Sequence, residues 1–240
     1  MSEAAGRVGV LGGTSGIGLA SAQQLVRAGH QVTIAGRDPG RLRGALATLM
    51  DQADGRTVDA TDRVALDSFF EGTGGLGHLV VAVTGARGGG PFRELDLAEV
   101  LEGIEAKTLP QLHAVQAALP HLSPNGSITL ITAVSARMAN PATAGLAVIN
   151  AGLEAAVRTL AVELAPLRLN AVSPGVIDTP WWQAAPAKRR AGVFTSFAER
   201  APAGRSGTAN DVALAVQFLV EASFVTGVTL PVDGGFHLRG

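Results

Sequence analysis

An α/β fold, a Rossmann-type doubly wound parallel sheet in a single domain over residues 1–240, is predicted by three features of the sequence. Short apolar runs alternate with helical patterns along the whole length, the signature of βαβ units. The run at 78–83 is apolar almost throughout, as strands buried on both faces of a parallel sheet are. The first strand enters a glycine-rich loop that opens a helix, which is the local order of a phosphate cradle.

Taken in order, 8–11 is the first strand and 19–28 the first helix. The second strand, 31–35, stops at the turn Gly36-Arg37-Asp38-Pro39-Gly40, and a helix over 41–50 follows. Thr57 and Val58 form a short strand, and Thr61 is the expected N-cap of a helix carrying Val64, Leu66, Phe69 and Phe70. After the strand at 78–83, the glycine-rich loop 85–91 is expected to be mobile. A long helical region over 96–121 contains Pro110, which should kink it and free the carbonyl of Ala106. The strand at 127–132 precedes a second long helix, 142–165, with Leu146, Ile149, Leu153, Val157, Leu160 and Leu164 on one stripe. The strand 169–172 ends at Ser173-Pro174-Gly175. An irregular, tryptophan-bearing region over 181–207 is the expected substrate loop; a helix at 209–220 and a strand at 228–232 close the chain.

Composition excludes several classes of function. Apolar residues make up 47% and charged residues 16%, enough for a packed core. A net charge of −1, without a basic stripe or an aromatic stacking set, argues against nucleic acid and membrane surfaces. The chain has no cysteine, so neither disulfides nor thiol catalysis arise. The apolar runs are shorter than a membrane span, and 1–6 carries no targeting signal, so a cytoplasmic location is expected. The five histidines lack metal-ligand spacing; His113 and His121 read as helix-surface or interface residues, and no metal is expected.

Gly12, Gly16 and Gly18 are spaced G-x-x-x-G-x-G, with Thr14, Ser15 and Ile17 between them. Glycines let the backbone turn tightly and a pyrophosphate approach closely, and the free N–H groups and dipole of the helix start attract it. The spacing is not G-x-G-x-x-G, and no Lys-Ser/Thr follows as in a Walker loop. The stretch 11–18 closely resembles the T-G-x-x-x-G-I-G loop of short-chain dehydrogenases/reductases, with Leu11 in place of the usual Thr. The resemblance extends to Asp59, to 117–122 and 126–128, to 160–166 and 170–179, and to 225–227 and 232–235. It implies that Asp59, with Ala60 beside it, meets the adenine. It places Pro174, Gly175, Ile177 and Thr179 along the nicotinamide, with Ile177 offering backbone groups to the carboxamide and Thr179 a hydroxyl nearby. An acidic residue ending the second strand would favour NAD; here Gly36 leaves room and Arg37 can pair with a 2′-phosphate, so NADP(H) is the expected cofactor.

The family's catalytic Asn, Ser, Tyr and Lys are where the similarity ends. Aligning Leu153-Glu154-Ala155 puts Asn150 at the Lys position and Leu146 at the Tyr position; Ala133 falls at Ser and Lys107 at Asn. No tyrosine exists anywhere in the chain. Leu146 cannot donate a proton, and Asn150 can hydrogen-bond a ribose hydroxyl but cannot tune a phenol. The candidate catalytic groups are therefore Lys107, Ser135 and Asn150. Lys107 is either an exposed helix lysine or a cavity-facing one able to act as an acid; Ser135 and Arg137 lie either in a solvated loop or at the site.

Two functions follow. One is an NADP(H)-dependent oxidoreductase of divergent mechanism, acting on an activated acceptor such as an iminium or conjugated enone, which asks less of a proton donor. The other is a non-redox NADP-binding pseudoenzyme, cyclase or partner protein on the same scaffold. Trp181, Trp182 and Phe194 suggest an apolar or ring-bearing small-molecule substrate. Small residues on the two long helices (Ala114, Ala117, Ala118, Ala151, Gly152, Ala155), together with the family's twofold assemblies, imply a homotetramer or dimer.

Overall fold

The computed structural model describes residues 6–49, 52–85 and 87–239. Residues 1–5 of the stretch read for targeting, and Met50 at the end of the second expected helix, lie outside them. The first half of the chain runs β1 (Arg7–Leu11), α1 (Gly16–Arg27), β2 (Gln31–Gly36), α2 (Pro39–Leu49), β3 (Ala53–Thr57), α3 (Arg63–Glu71) and β4 (Leu76–Val81). Next come α4 (Leu97–Gly103), a π-turn (Ile104–Thr108), α5 (Leu109–Ala118), β5 (Leu122–Ile131) and α6 (Ala144–Glu163). The chain ends with β6 (Arg168–Pro174), β7 (Ile177–Asp178), α7 (Ala187–Arg200), β8 (Gly207–Thr208), α8 (Ala209–Glu221) and β9 (Thr229–Val232).

Seven strands form one sheet in the order β3-β2-β1-β4-β5-β6-β9, every neighbouring pair parallel. Order reverses beside β1, so the crevice beyond the carboxyl ends of β1 and β4 is the switch point where such sheets bind ligands. Leu25 of α1, Leu42 of α2 and Val212, Val216 and Leu219 of α8 pack on Val10, Ile34, Val80 and Val172 of the strands. Leu66 and Phe70 of α3, Ala114 and Ala118 of α5, and Leu153 and Val157 of α6 pack with Leu79, Val81, Ile128 and Leu130 in a second core. The predicted doubly wound architecture is the observed one. By length and average composition α6 could cross a membrane, although Asn150, Glu154 and Arg158 keep its continuous apolar runs short, as expected. Its apolar stripe is nevertheless spent on the sheet, where Ile149, Leu153 and Val157 are buried.

Several local expectations are corrected. The N-cap of α3 is Asp62, whose carboxylate accepts from Val64 and Ala65 N–H, while the Thr61 hydroxyl turns back to Asp59. An anionic side chain satisfies two orphan donors there better than a hydroxyl can. The third strand is 53–57, ending where it was expected to begin. The long helix over 96–121 is interrupted before Pro110: Leu109 N–H bonds the carbonyl of Ile104 across the π-turn. The region 181–207 is not irregular, since it holds the 14-residue α7, fastened by Phe197 against Phe236 at 4.3 Å between ring centres. Of the loop expected to be mobile, Ala86 lies outside the described residues, and Gly90 N–H bonds the carbonyl of Ala142 at 2.9 Å.

Candidate functional site

β1 delivers the chain into the glycine loop, and two peptide N–H groups, of Gly12 and Gly13, hook onto the carbonyl of Ala35 at 2.8 and 3.0 Å. Gly12 has φ +78° and Gly16 φ +52°, conformations that glycine adopts without strain. A Cβ on Gly18 would lie 2.1 Å from the carbonyl oxygen of Gly12, so the loop folds directly onto the first turn of α1. Ser15 is the N-cap of α1 but makes no capping bond, and no acidic side chain occupies the first turn. Hydroxyl and helix-start N–H groups are thus free for an anion.

At the end of β2, a Cβ on Gly36 would meet the Thr14 side chain at 2.6 Å, so a ribose-binding carboxylate has no room there. Arg37 is exposed, and its guanidinium helps hold the Asp59 carboxyl below the usual range; the larger cause is the Thr61 backbone N–H, bonded to Asp59 at 3.0 Å. The opposite lip is the segment after β6. Thr179 lies against Gly16, where a Cβ would find its Cβ at 3.4 Å, so the two lips of the crevice adjoin. Pro174 ends β6, Gly175 N–H bonds Val232, and Ile177 is buried in β7. The Trp182 indole N–H donates to the Ile177 carbonyl at 3.0 Å, and Trp181 donates to Gly85 at 3.2 Å. Trp181, Trp182 and Phe194 stack edge to face, at 4.7 and 5.5 Å, into one aromatic wall.

The π-turn carries Lys107, and the extra residue of such a turn rotates the helix face. Lys107 is buried rather than exposed, with 6% of its surface accessible. Its Nζ donates to the Thr132 carbonyl at 3.0 Å and to Asn150 Oδ1 at 2.7 Å. Burial pushes its pKa down to about 8, and the Glu154 carboxylate works against that fall. Asn150 spends both N–H groups within the protein, on the Leu146 carbonyl at 2.8 Å and Ser135 Oγ at 3.3 Å. It therefore links Lys107 to Ser135, and a ribose hydroxyl could use only the remaining lone pair of Oδ1. Ser135 Oγ itself donates to the Leu146 carbonyl. The structure thus gathers Lys107, Ser135 and Asn150 into one chain of hydrogen bonds, with Leu146 beside it.

Two residues of this neighbourhood escaped the sequence reading. Gln111, one turn beyond Lys107, donates to the carbonyls of Val83 and Ile131, both at 3.0 Å, and its own oxygen is buried without a partner. Glu154 is buried behind Asn150, and Arg137, read beforehand as loop or site, bonds it at 2.6 Å. The spacing Leu146, Asn150, Glu154 is a signal that could have found Glu154, because residues four apart share a helix face. Pits of about 350 and 360 Å³ lie elsewhere, one over Glu154 on the outer side of α6 and one beside Phe224. Among the described residues no cluster of His, Cys, Asp or Glu could hold a metal.

The fold recurs among known proteins. Residues 12–237 match the family described as enoyl-(acyl carrier protein) reductase. A cis-4-hydroxycyclohexanecarboxylate dehydrogenase from Sinomonas cyclohexanicum is 33% identical, over 98% of this chain and 99% of its own. A short-chain oxidoreductase from Pseudomonas aeruginosa PAO1, solved with NADPH and described as containing an atypical catalytic center, superposes with a TM-score of 0.86 at 27% identity over 96% of each chain. The MalC reductase/Diels-Alderase from Malbranchea aurantiaca superposes with a TM-score of 0.87 at 25% identity, over 97% of this chain and 95% of that one.

Proposed function

The chain belongs to the short-chain dehydrogenase/reductase family, and we propose that within it this protein is an NADP(H)-dependent oxidoreductase whose proton donor is Lys107. The observation that carries the proposal is the buried Lys107 amine, held between Thr132 and Asn150 at the positions where the family's tetrad would meet. A lysine with a pKa near 8 is an acid matched to neutral pH, where a normal lysine is far too weak. Two of its three N–H bonds are fixed by acceptors, which leaves the third to meet a substrate atom gaining negative charge.

The residues of the crevice suit NADP(H). Gly12, Ser15, Gly16, Ile17 and Gly18 would hold the pyrophosphate, Thr14 and Arg37 the 2′-phosphate side, and Asp59 and Ala60 the adenine. Thr179 and the 174–177 segment would hold the nicotinamide. Bound NADPH supplies a hydride. The protein's part is to hold the acceptor against the aromatic wall of Trp181, Trp182 and Phe194, exclude water and, where the acceptor is a conjugated carbonyl, deliver from Lys107 the proton its reduced product takes up; an iminium takes hydride alone. Without a phenol beside the substrate oxygen, the acceptor is proposed to be an activated one, such as a conjugated or iminium group on an apolar or ring-bearing molecule. A panel of such acceptors against simple ketones, followed by NADPH absorbance, tests this. Brisk turnover of simple ketones contradicts the acceptor class, and tight NADPH binding with no turnover of anything favours a non-redox role.

Three outcomes are expected around this reading. NADP(H) binds more tightly than NAD(H) by at least about tenfold, roughly 1.4 kcal/mol, in calorimetry. Arg37→Ala removes most of that preference, since a bidentate guanidinium is the partner of a phosphate monoester. Leu146→Tyr does not restore ketone reduction, because residue 150 is an asparagine and an unassisted phenol keeps a pKa near 10.

We also propose a soluble, cytoplasmic dimer or tetramer, and light scattering at micromolar concentration checks it. The helix faces expected to pair need revision: Ala114, Ala117 and Ala118 are core residues, whereas Ala151, Gly152 and Ala155 are exposed on α6 with Val148 and Val162.

A further inference from the structure

Glu154 is a buried carboxylate with three donors. Oε1 accepts from Thr132 Oγ1 at 3.0 Å and from Ser173 Oγ at 2.9 Å, and Oε2 accepts from Arg137 Nε at 2.6 Å. Thr132 follows the last residue of β5, and Ser173 is next to last in β6, just before Pro174 and Gly175. One side chain of α6 therefore joins the carboxyl ends of the two strands that border the site. Thr132 also presents the carbonyl that receives Lys107 Nζ. Its hydroxyl has the Val172 carbonyl at 3.2 Å as an alternative acceptor, so the bond to Glu154 is a choice between neighbours on β6 and α6.

A buried ammonium needs a compensating charge, and a buried carboxylate needs its lone pairs filled. Among the described residues, Glu154 is the charge that acts on Lys107. Arg137, from the turn after β5, faces Glu154 in turn, and Arg158, one turn along α6, lines the pit above it. Arg137 is 36% exposed, so its charge is partly screened, whereas the Glu154 side chain is only 7% exposed.

We propose that Glu154 is a positioning residue for this site: by tying β5 and β6 to α6 it fixes the Thr132 carbonyl that holds the Lys107 amine, and it supplies the negative charge that keeps this amine protonated while buried. The effect on rate rests on the role proposed above for Lys107; the effect on the amine itself does not.

The chain contains only two lysines, Lys107 and the exposed Lys188, so the amine can be read directly. In protein labelled with ¹³C-lysine, the two side-chain signals are followed by NMR against pH without cofactor, Lys188→Arg identifying the exposed one. In Glu154→Gln the Lys107 midpoint is expected below the wild-type value, because the ammonium loses its neighbouring carboxylate. Single-turnover NADPH oxidation by a conjugated cyclic enone, which takes the hydride and one proton, falls at least about tenfold at neutral pH, as loss of a placed acid implies, while NADPH affinity stays within about threefold. Ser173→Ala keeps the charge and removes one tie to β6: the midpoint stays and the rate falls. An unchanged Lys107 midpoint in folded Glu154→Gln overturns the charge role, and an unchanged rate in Ser173→Ala overturns the positioning role. If Glu154→Gln does not fold, Glu154→Met removes the charge in its place and its Lys107 midpoint decides the charge role, while Ser173→Ala decides the positioning role. A Lys107→Met variant that retains turnover, alongside a shifted midpoint in Glu154→Gln, refutes the acid role of Lys107 and leaves the Glu154 assignment intact.

Discussion

Gly18→Ala is expected to lower NADPH affinity by at least about 100-fold, roughly 2.7 kcal/mol, in calorimetry. The added Cβ would sit 2.1 Å from the Gly12 carbonyl oxygen and 3.2 Å from the Ala82 Cβ. Neither neighbour is the far end of a flexible side chain, and Gly12 is itself tied through its N–H to Ala35. The loop must therefore lift away from α1, which spoils the ring of N–H groups at the helix start. A control on the same scale is Gly44→Ala. That residue is exposed in α2 and a Cβ there meets nothing within 4 Å. Relief of glycine's backbone entropy in a helix should stabilise the fold by about 0.5–1 kcal/mol in thermal melts. Gly18→Ala binding NADPH as the wild type does would show that phosphate binding lies elsewhere.

Lys107→Met is expected to cut turnover of a conjugated carbonyl acceptor, which must take up a proton, by about 10²–10⁴-fold, the contribution typical of a positioned acid. NADPH affinity should be nearly unchanged, since Lys107 Nζ faces Thr132 and Asn150 rather than the glycine loop. The pH profile adds a sign. The acid form of Lys107 exists below its pKa of about 8, so wild-type turnover should decline as pH rises through that value. The same limb should vanish in Lys107→Met. Stability runs the opposite way: the folded pKa lies below the ordinary lysine value of 10.5, so the unfolded chain binds the extra proton between about 8 and 10.5. The cost of burying the charge is full below about pH 8 and is relieved as pH rises through that window. A Lys107→Met enzyme with wild-type kcat and the same alkaline limb would assign the proton to another group.

The sheet was legible because its strands are continuous apolar runs with glycine or proline punctuation, and burial on both faces demands that pattern. The cradle was legible because strand, glycines and helix are contiguous in the chain. α7 was not. Gly192, Thr195 and Ser196 weaken its helical character, and only Phe197 of α7 is buried. Its amphipathic pattern carries a single large buried side chain, Phe197, which packs on Phe236, so the pattern is hard to tell from a polar loop. Pro110 signalled a disturbance in the long helix, but its form, a π-turn one turn earlier, depends on how α4 and α5 both meet their neighbours. Lys107 was left between two readings for the same reason, because its face depends on that turn. The meeting of Lys107 with Asn150, 43 residues away, is a tertiary fact. Glu154 was hidden by the apolar stripe around it: a single charge beside Leu153 reads as solvated until Thr132, Ser173 and Arg137 are seen to enclose it.

The proposed function requires hydride transfer by a chain that has no tyrosine. It is tested most directly by incubating the wild-type protein with NADPH deuterated at the nicotinamide C4 and a conjugated acceptor, then reading the product by mass spectrometry. The expected product carries one deuterium and forms at a rate that collapses in Lys107→Met. Tight binding of the labelled cofactor, with its deuterium fully retained against every activated acceptor, would contradict it.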